Sequence, residues 1–373
     1  MMSTVERPLR VLHLCPDTRY LTELFTLYRD ALDRPPFEST VVFLRGEPDA
    51  ALARHPGGRV RFLGLPRGAL EGLRLRALWR LWRSCRGQRF DLVIAHRYKA
   101  LTLALALRRL GMVRQVFGVV HEIGQFKGRR RRTLERALGA PLTLIGVSDT
   151  VRSDLARRFP AFPPQRIVVL PNAVSAPPCV DRAQALAALD LDPRWFWFGS
   201  VGRLERVKGY DVLLRAFAPL AREMPQVGLA LIGSGREEQG LRALCGELGL
   251  QEQVSFCGWR PGARTLLAAI DACVFPSRNE AFGLAIAEAM AAGRPVIASA
   301  VGGVADVVAD AAVLVPADDV AALTAALRRV HADANLRQSM GAALHARWQA
   351  QFSPQRFVQR LQSLAHAATA VPQ

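Results

Sequence analysis

The chain has 373 residues, half of them hydrophobic, and its 50 Lys and Arg against 32 Asp and Glu give a formal net charge of +18. A prior of about 150 residues per domain predicts two domains, and the charge is lopsided: residues 1–172 hold 31 basic against 14 acidic (net +17), residues 173–373 hold 19 against 18 (net +1). Six cysteines with no CxxC pair or partnering histidine spacing argue against zinc and for reduced thiols in the cytosol. No segment approaches the roughly 20 apolar residues of a membrane span, and the apolar run in "MMSTVERPLRVLHLCP" is too short for a signal peptide.

Short Val/Ile/Leu-rich runs alternate with helix-period segments along the whole chain, the pattern of parallel sheets covered by helices. The first half predicts strands at 9–15, 39–44, 59–65, 91–96, 115–121, 142–148 and 166–172. Residues 66–87 read as one helix, with Leu70, Leu73, Ala77, Leu78, Leu81 and Cys85 on one stripe and Arg76, Arg80 and Arg83 on another. After "PNAVSAPPCVDR" the pattern restarts, with strands at 195–204, 228–235, 253–259, 271–277, 294–299 and 311–316. Two doubly wound α/β domains follow, 1–172 and 173–351. Open sheets of this kind bind ligands beyond the carboxyl ends of their strands, so a cleft between the domains is the default site. Residues 352–373 form a terminal helix, which either crosses back to the first domain or completes the second.

Three motifs carry chemistry. In "SVGRLERVKGYDVLLRAF" (200–217) a strand runs through Gly202, Arg203, Lys208 and Gly209 into an amphipathic helix. Two cations at a helix start make an anion site, with phosphate the natural guest; two solvated loop cations are the plain alternative. "LIGSGREEQGLRAL" (231–244) repeats strand, Gly-x-Gly and helix with Gly233 and Gly235, a weak signal alone. "SRNEAFGLAIAEAMAAGRP" (277–295) holds Glu280 and Glu288 on either side of a helix start near Phe282 or Gly283. About five residues at 1.5 Å put Glu288 roughly 7 to 8 Å along the axis. A diphosphate docked on the Gly283 and Leu284 amides would leave one sugar near each glutamate.

"VGRLERVKG", followed some seventy residues later by "EAFGLAIAEAMAAGRPVIAS" and "GG", resembles the family-four retaining glycosyltransferases of the GT-B fold, whose E-x7-E motif Glu280 and Glu288 match. "VLPNAV", "LIGSG" and "SFCGW" fall in the family's order. The resemblance implies two Rossmann-like domains facing across a cleft, the first binding acceptor and the second a nucleotide-sugar. It implies Arg203 and Lys208 on the donor diphosphate, Glu280 on hydroxyls of the transferred sugar, Gly283 and Leu284 amides on phosphate, and Glu288 on the ribose, with Gly202 and Gly233 in the donor loops. No cofactor and no metal is implied. His121, ending "VVH", matches a histidine that faces the reacting sugar in the family; a structural histidine is the alternative. The first half is similar to enzymes of lipopolysaccharide-core synthesis. Two departures stand out: the loop "CPDTRYLTE" (15–23) has no glycine, leaving Asp17, Thr18 and Arg19 as bare candidates, and Asp306 stands where many members have glutamate.

For residues 66–87 the plain reading is a helix packed on the sheet with solvated arginines; the alternative is that Trp79, Trp82 and these arginines, with the run "KGRRRRTLERAL" (127–138), contact an anionic membrane or a phosphorylated glycolipid acceptor. The reduced thiols place the protein in the cytoplasm, and such contact would bring it to the inner face of the membrane. Nucleic-acid binding has only the charge in its favour, and no reading motif. A GT-B phosphorylase would need a Schiff-base lysine, yet Lys99 and Lys127 lie in the first domain and Lys208 is already placed. The one Asp-x-Asp, Asp190 and Asp192, reads as a turn.

Overall fold

The computed structural model describes residues 7–17, 23–47, 59–72, 74–126 and 142–370. The chain divides into two compact units, Met1–Asn172 with Pro354–Gln373, and Ala173–Ser353. The first holds seven strands: β1 (Leu9–Cys15), β2 (Phe37–Phe43), β3 (Arg59–Phe62), β4 (Phe90–His96), β5 (Val113–Val120), β6 (Leu142–Gly146) and β7 (Ile167–Val169), in the order β3-β2-β1-β4-β5-β6-β7. The second holds β8 (Phe196–Val201), β9 (Val227–Ile232), β10 (Val254–Gly258), β11 (Ala272–Phe275), β12 (Val296–Ser299) and β13 (Val313–Val315), ordered β10-β9-β8-β11-β12-β13. Every pairing is parallel. The two doubly wound sheets expected from the alternating pattern are therefore present. Strands β4 and β9 are buried along their whole length, which is why they read as unbroken apolar runs.

Each sheet reverses its winding once, between β1 and β4 in the first unit and between β8 and β11 in the second. Chains leaving the carboxyl ends of such a pair diverge to opposite faces and open a crevice there.

Two expectations need amending. Residues 66–87 are not one helix: a 3-10 turn, Arg67–Leu70, is followed by the helix Leu75–Cys85. Gly72 and Arg74 both have positive φ, which ends helical continuity between them. Leu75 and Trp79 are exposed on that helix, while Ala77, Leu81 and Cys85 are buried. The second unit runs to Ser353 rather than 351. The Val174 amide donates to the Phe352 carbonyl (3.0 Å), and the Phe282 and Phe352 rings meet edge to face at 5.5 Å, which ties Phe352 to that unit. The basic run 127–138, with Lys127, and the loop positions Thr18 and Arg19 lie outside the described residues.

The helix Pro354–Ala370 belongs to the first unit. Its Phe357 ring packs edge-on to Tyr28 at 4.8 Å, and the Gln362 amide donates to the Ala31 carbonyl at 2.9 Å, both partners lying on the helix Glu23–Ala31. All six cysteines are free thiols, and only Cys179 is exposed. Asp190 ends the helix Arg182–Leu189 in a left-handed turn and Asp192 pairs with Arg194, so neither forms a carboxylate pair for a metal.

Candidate active site

At the switch point of the second sheet, the loop after β8 meets the loop after β11. Gly209 is left-handed (φ 68°), and a Cβ there would sit 2.0 Å from the Pro276 carbonyl oxygen, so only glycine lets the loops come this close. That approach sets Lys208 against Glu280, Nζ to Oε1 at 2.5 Å, and the Ser277 hydroxyl donates to the same oxygen at 3.0 Å. Both charged side chains are largely shielded, 23% and 15% exposed, so each depends on the other for compensation. They line one depression with Ser200, Tyr210, Gly283 and Ile286.

The helix expected near Phe282 or Gly283 is Leu284–Ala291, with Gly283 as its left-handed cap and no side chain bonding its first amides. Those N–H groups and the positive end of the helix dipole are available to an anion. Glu280 is held from behind by the Gly303 amide on its carbonyl (2.9 Å). Burial pushes the Tyr210 phenol up to about 12; its hydrogen bond with Ser200 works against this and the Glu280 charge adds to it. Tyr210 is therefore a neutral hydrogen-bonding group on the floor of the depression.

The other expected donor residues are placed differently. Glu288 stands half-buried on the helix Leu284–Ala291 and is not among the residues lining the depression; Leu284 is exposed at the helix start. Arg203 is 71% exposed, bonded to Glu205 at 2.5 Å and not among the residues lining the depression. Gly202 and Gly233 are loop-packing positions: a Cβ on Gly233 would lie 1.9 Å from the Gly202 carbonyl oxygen, so the Gly-x-Gly is required by the two loops themselves. Asp306 sits in the first turn of the helix Val304–Val308, and its carbonyl accepts from Arg347 at 2.9 Å.

Sequence reading missed Arg278. It forms a two-armed pair with Asp211 (2.9 and 2.7 Å), reaches Asp318 (2.7 Å) and donates to the Arg206 carbonyl, while its amide bonds the Val207 carbonyl (2.8 Å). It is the clamp that locks the Lys208 loop onto the Glu280 loop. No spacing in the sequence announces it, because its carboxylate partners lie 67 and 40 residues away.

In the first unit His121 follows β5 at the carboxyl edge of the sheet, and its ring stacks on His96 at 5.9 Å. Burial, with the nearby Arg97 charge, lowers His121 to about 4; His96 is held well below the usual imidazole range by burial and by His121 and His13. Both are neutral imidazoles at neutral pH. His96 ends β4 at the first sheet's switch point, and it too escaped sequence reading because "DLVIAH" was absorbed as a strand. Asp17 is buried and paired with Arg45 at 3.6 Å. Among the described residues no group of three or more His, Cys, Asp or Glu could hold a metal ion.

Residues 184–346 match the family model for glycosyl transferases group 1, and residues 28–176 match the model for glycosyltransferase family 4. The two matches fall one on each unit, so the second carries the group 1 glycosyltransferase pattern and the first that of family 4. A D-inositol 3-phosphate glycosyltransferase of Salinispora tropica is 35% identical over 226 residues, 55% of this chain and 47% of that protein. The one from Segniliparus rotundus is 37% identical over 161 residues, 41% of this chain and 36% of that protein. The chain thus spans half or less of the length of these curated relatives. Among solved structures, Anabaena Alr3699/HepE in complex with UDP has a TM-score of 0.80 at 20% identity, over 96% of this chain and 100% of that one. At that identity the likeness is one of GT-B fold.

Proposed function

We propose that this chain transfers a sugar, with retention of anomeric configuration, from a nucleoside-diphosphate sugar to a hydroxyl of a glycan or glycolipid. The observation that carries this reading is the Lys208–Glu280 pair beside the open helix start at Gly283, where the second sheet reverses its winding. Negative charge grows on the diphosphate as the bond from the sugar to phosphate breaks, and preorganised cations and amides stabilise it more than they stabilise the ground state. Lys208 and Gly283 line that depression, and in this reading Lys208 and the amides of Gly283 and Leu284 meet the diphosphate. Arg203 joins them by exchanging Glu205 for the diphosphate.

Glu280 accepts hydrogen bonds from hydroxyls of the transferred sugar once Lys208 turns to phosphate, with Ser277 holding the carboxylate in place. Glu288 takes the ribose. Neutral His121 lines the acceptor side as a hydrogen-bonding group rather than a cation. With the leaving charge covered by side chains and amides, the step requires no metal. The UDP in the Alr3699/HepE complexes supports a nucleotide donor. The relatives matched in sequence are named for inositol 3-phosphate, not for lipopolysaccharide core, so the core oligosaccharide is a candidate acceptor resting on the first unit's likeness alone. Contact of the basic first unit with an anionic membrane is supported by its charge and by exposed Leu75 and Trp79. No helix among the described residues is long and apolar enough to cross a membrane.

The test is thermal stabilisation across a panel of sugar nucleotides. At least one donor should raise the melting temperature of the wild type, and Lys208→Ala and Glu280→Ala should abolish that rise. A panel that leaves the wild type unmoved, or variants that respond as it does, would remove the assignment.

A further inference from the structure

The amino ends of β4 and β5 frame a concavity at the edge of the first sheet opposite His96 and His121. Four arginines line it, Arg7, Arg89, Arg108 and Arg114, with one acid, Asp91. Strand β4 has seven residues, so this edge lies about 20 Å from the carboxyl edge at 3.3 Å per residue. Asp91 is already engaged: Arg7 grips both of its oxygens (3.0 and 2.8 Å) and the Arg10 amide donates to it at 2.9 Å. Arg114 reaches the same carboxylate at 4.0 Å, and Arg108 donates to the Arg114 carbonyl at 3.3 Å, holding these two arms together.

Among the described residues that line it, four guanidinium groups stand against one carboxylate, a charge of +3. Burial, then the charge of Arg166, lowers the Arg108 guanidinium, so a further cation stands close to this lining arginine. Like charges gathered in one concavity are relieved by a multivalent anion, and planar guanidinium forks match the oxygens of phosphate better than a single carboxylate would satisfy them. Leu110, 55% exposed, sits at the rim beside the lining residue Gly111.

We propose that this concavity is a binding site for a phosphate or diphosphate group, carried by the first unit and separate from the donor site of the second. The phosphate comes either from a soluble phosphorylated compound or from the headgroup of an anionic lipid. The cluster also accounts for part of the first unit's charge, which the transferase reading left unused.

The experiment uses the full chain carrying Lys208→Ala, so that the donor loops do not compete. Titration calorimetry with pyrophosphate reads the soluble source. Co-sedimentation with phosphatidylcholine vesicles, with and without phosphatidylglycerol, reads the lipid source. Saturable pyrophosphate binding, weakened at least about tenfold in Arg89→Gln/Arg114→Gln with an unchanged melting temperature, supports the site with a soluble ligand. Phosphatidylglycerol-dependent sedimentation lost in that variant, without pyrophosphate binding, supports it with a lipid ligand. Adding Arg108→Gln should deepen either loss, and the double variant decides if the triple does not fold. Binding in neither arm, or binding equal in parent and double variant, overturns the proposal. With Lys208 restored, the double variant should keep the full thermal response to a sugar nucleotide.

Discussion

A Cβ on Gly209 would lie 2.0 Å from the carbonyl oxygen of Pro276, and this single close approach brings Lys208 to Glu280. Gly209→Ala must push the two loops apart and also accept a left-handed backbone. The strain of such a position is on the order of 1 to 3 kcal/mol before the steric overlap is counted, so a destabilisation of about 2 kcal/mol or more is expected in denaturant unfolding. The response to sugar nucleotides should fall with it. An alanine variant of wild-type stability would mean the loops are free to separate.

Lys208 and Glu280 act as one unit, so their losses should not add. Removing either cation or carboxylate leaves the other partly buried without its compensating charge. Each single alanine variant should lower kcat/KM by about 10²-fold or more, the scale of losing one preorganised charge at the transition state. The double variant should be little worse than the poorer single one. A product of the two single effects in the cycle would show that the pair does not cooperate.

Arg278 is a positioning residue. Arg278→Lys keeps the charge but loses the two-armed grip on Asp211, and a point charge cannot also span Asp318 and the Arg206 carbonyl. The expected result is a stability loss of about 1 to 2 kcal/mol and a rise in the donor KM larger than the fall in kcat. Lysine restoring full donor affinity would reduce Arg278 to a surface charge.

Acid should weaken the first unit. His121 titrates at about 4 in the folded chain against an ordinary 6.5, and His96 and His13 are lowered as well, His13 to about 3. The folded state therefore binds fewer protons than the unfolded state once pH drops below about 6.5. Stability is full above that value and declines as pH falls from 6.5 towards 4, by up to about 1.4 kcal/mol per pH unit for each such histidine. Melting temperature followed from pH 7.5 to 4.5 should show this slope, and His121→Gln should flatten it. An equal slope in the variant would exclude His121 as a contributor.

The sheets were legible because β4, β9 and their neighbours are buried on both faces and leave long apolar runs, and because Gly283 and Gly209 mark helix starts. Lys208 and Glu280 were legible from the company they keep: Lys208 stands directly before Gly209 and Glu280 three residues before Gly283, each in a strand-to-helix turn. Arg203 shows the limit. Its partner Glu205 is two residues away in plain view, yet nothing in "GRLE" says whether the guanidinium points to ligand or to neighbour. Arg278 was illegible for another reason, since its role comes from pairing across 67 residues that only the closed sheet brings together. The Arg7–Asp91 grip, 84 residues apart, was hidden in the same way.

The helix Pro354–Ala370 covers Tyr28 and Ala31 of the first unit, yet the ribosome makes it after every residue of the second. For the whole time that residues 173–353 are emerging, the first unit waits with the Tyr28 face uncovered. Domains ordinarily mature in the order of synthesis; here the first to begin is the last to finish. A nascent chain arrested just short of Pro354 should thus be cut by protease within residues 1–172 more readily than within 173–353, the reverse of the usual vectorial order.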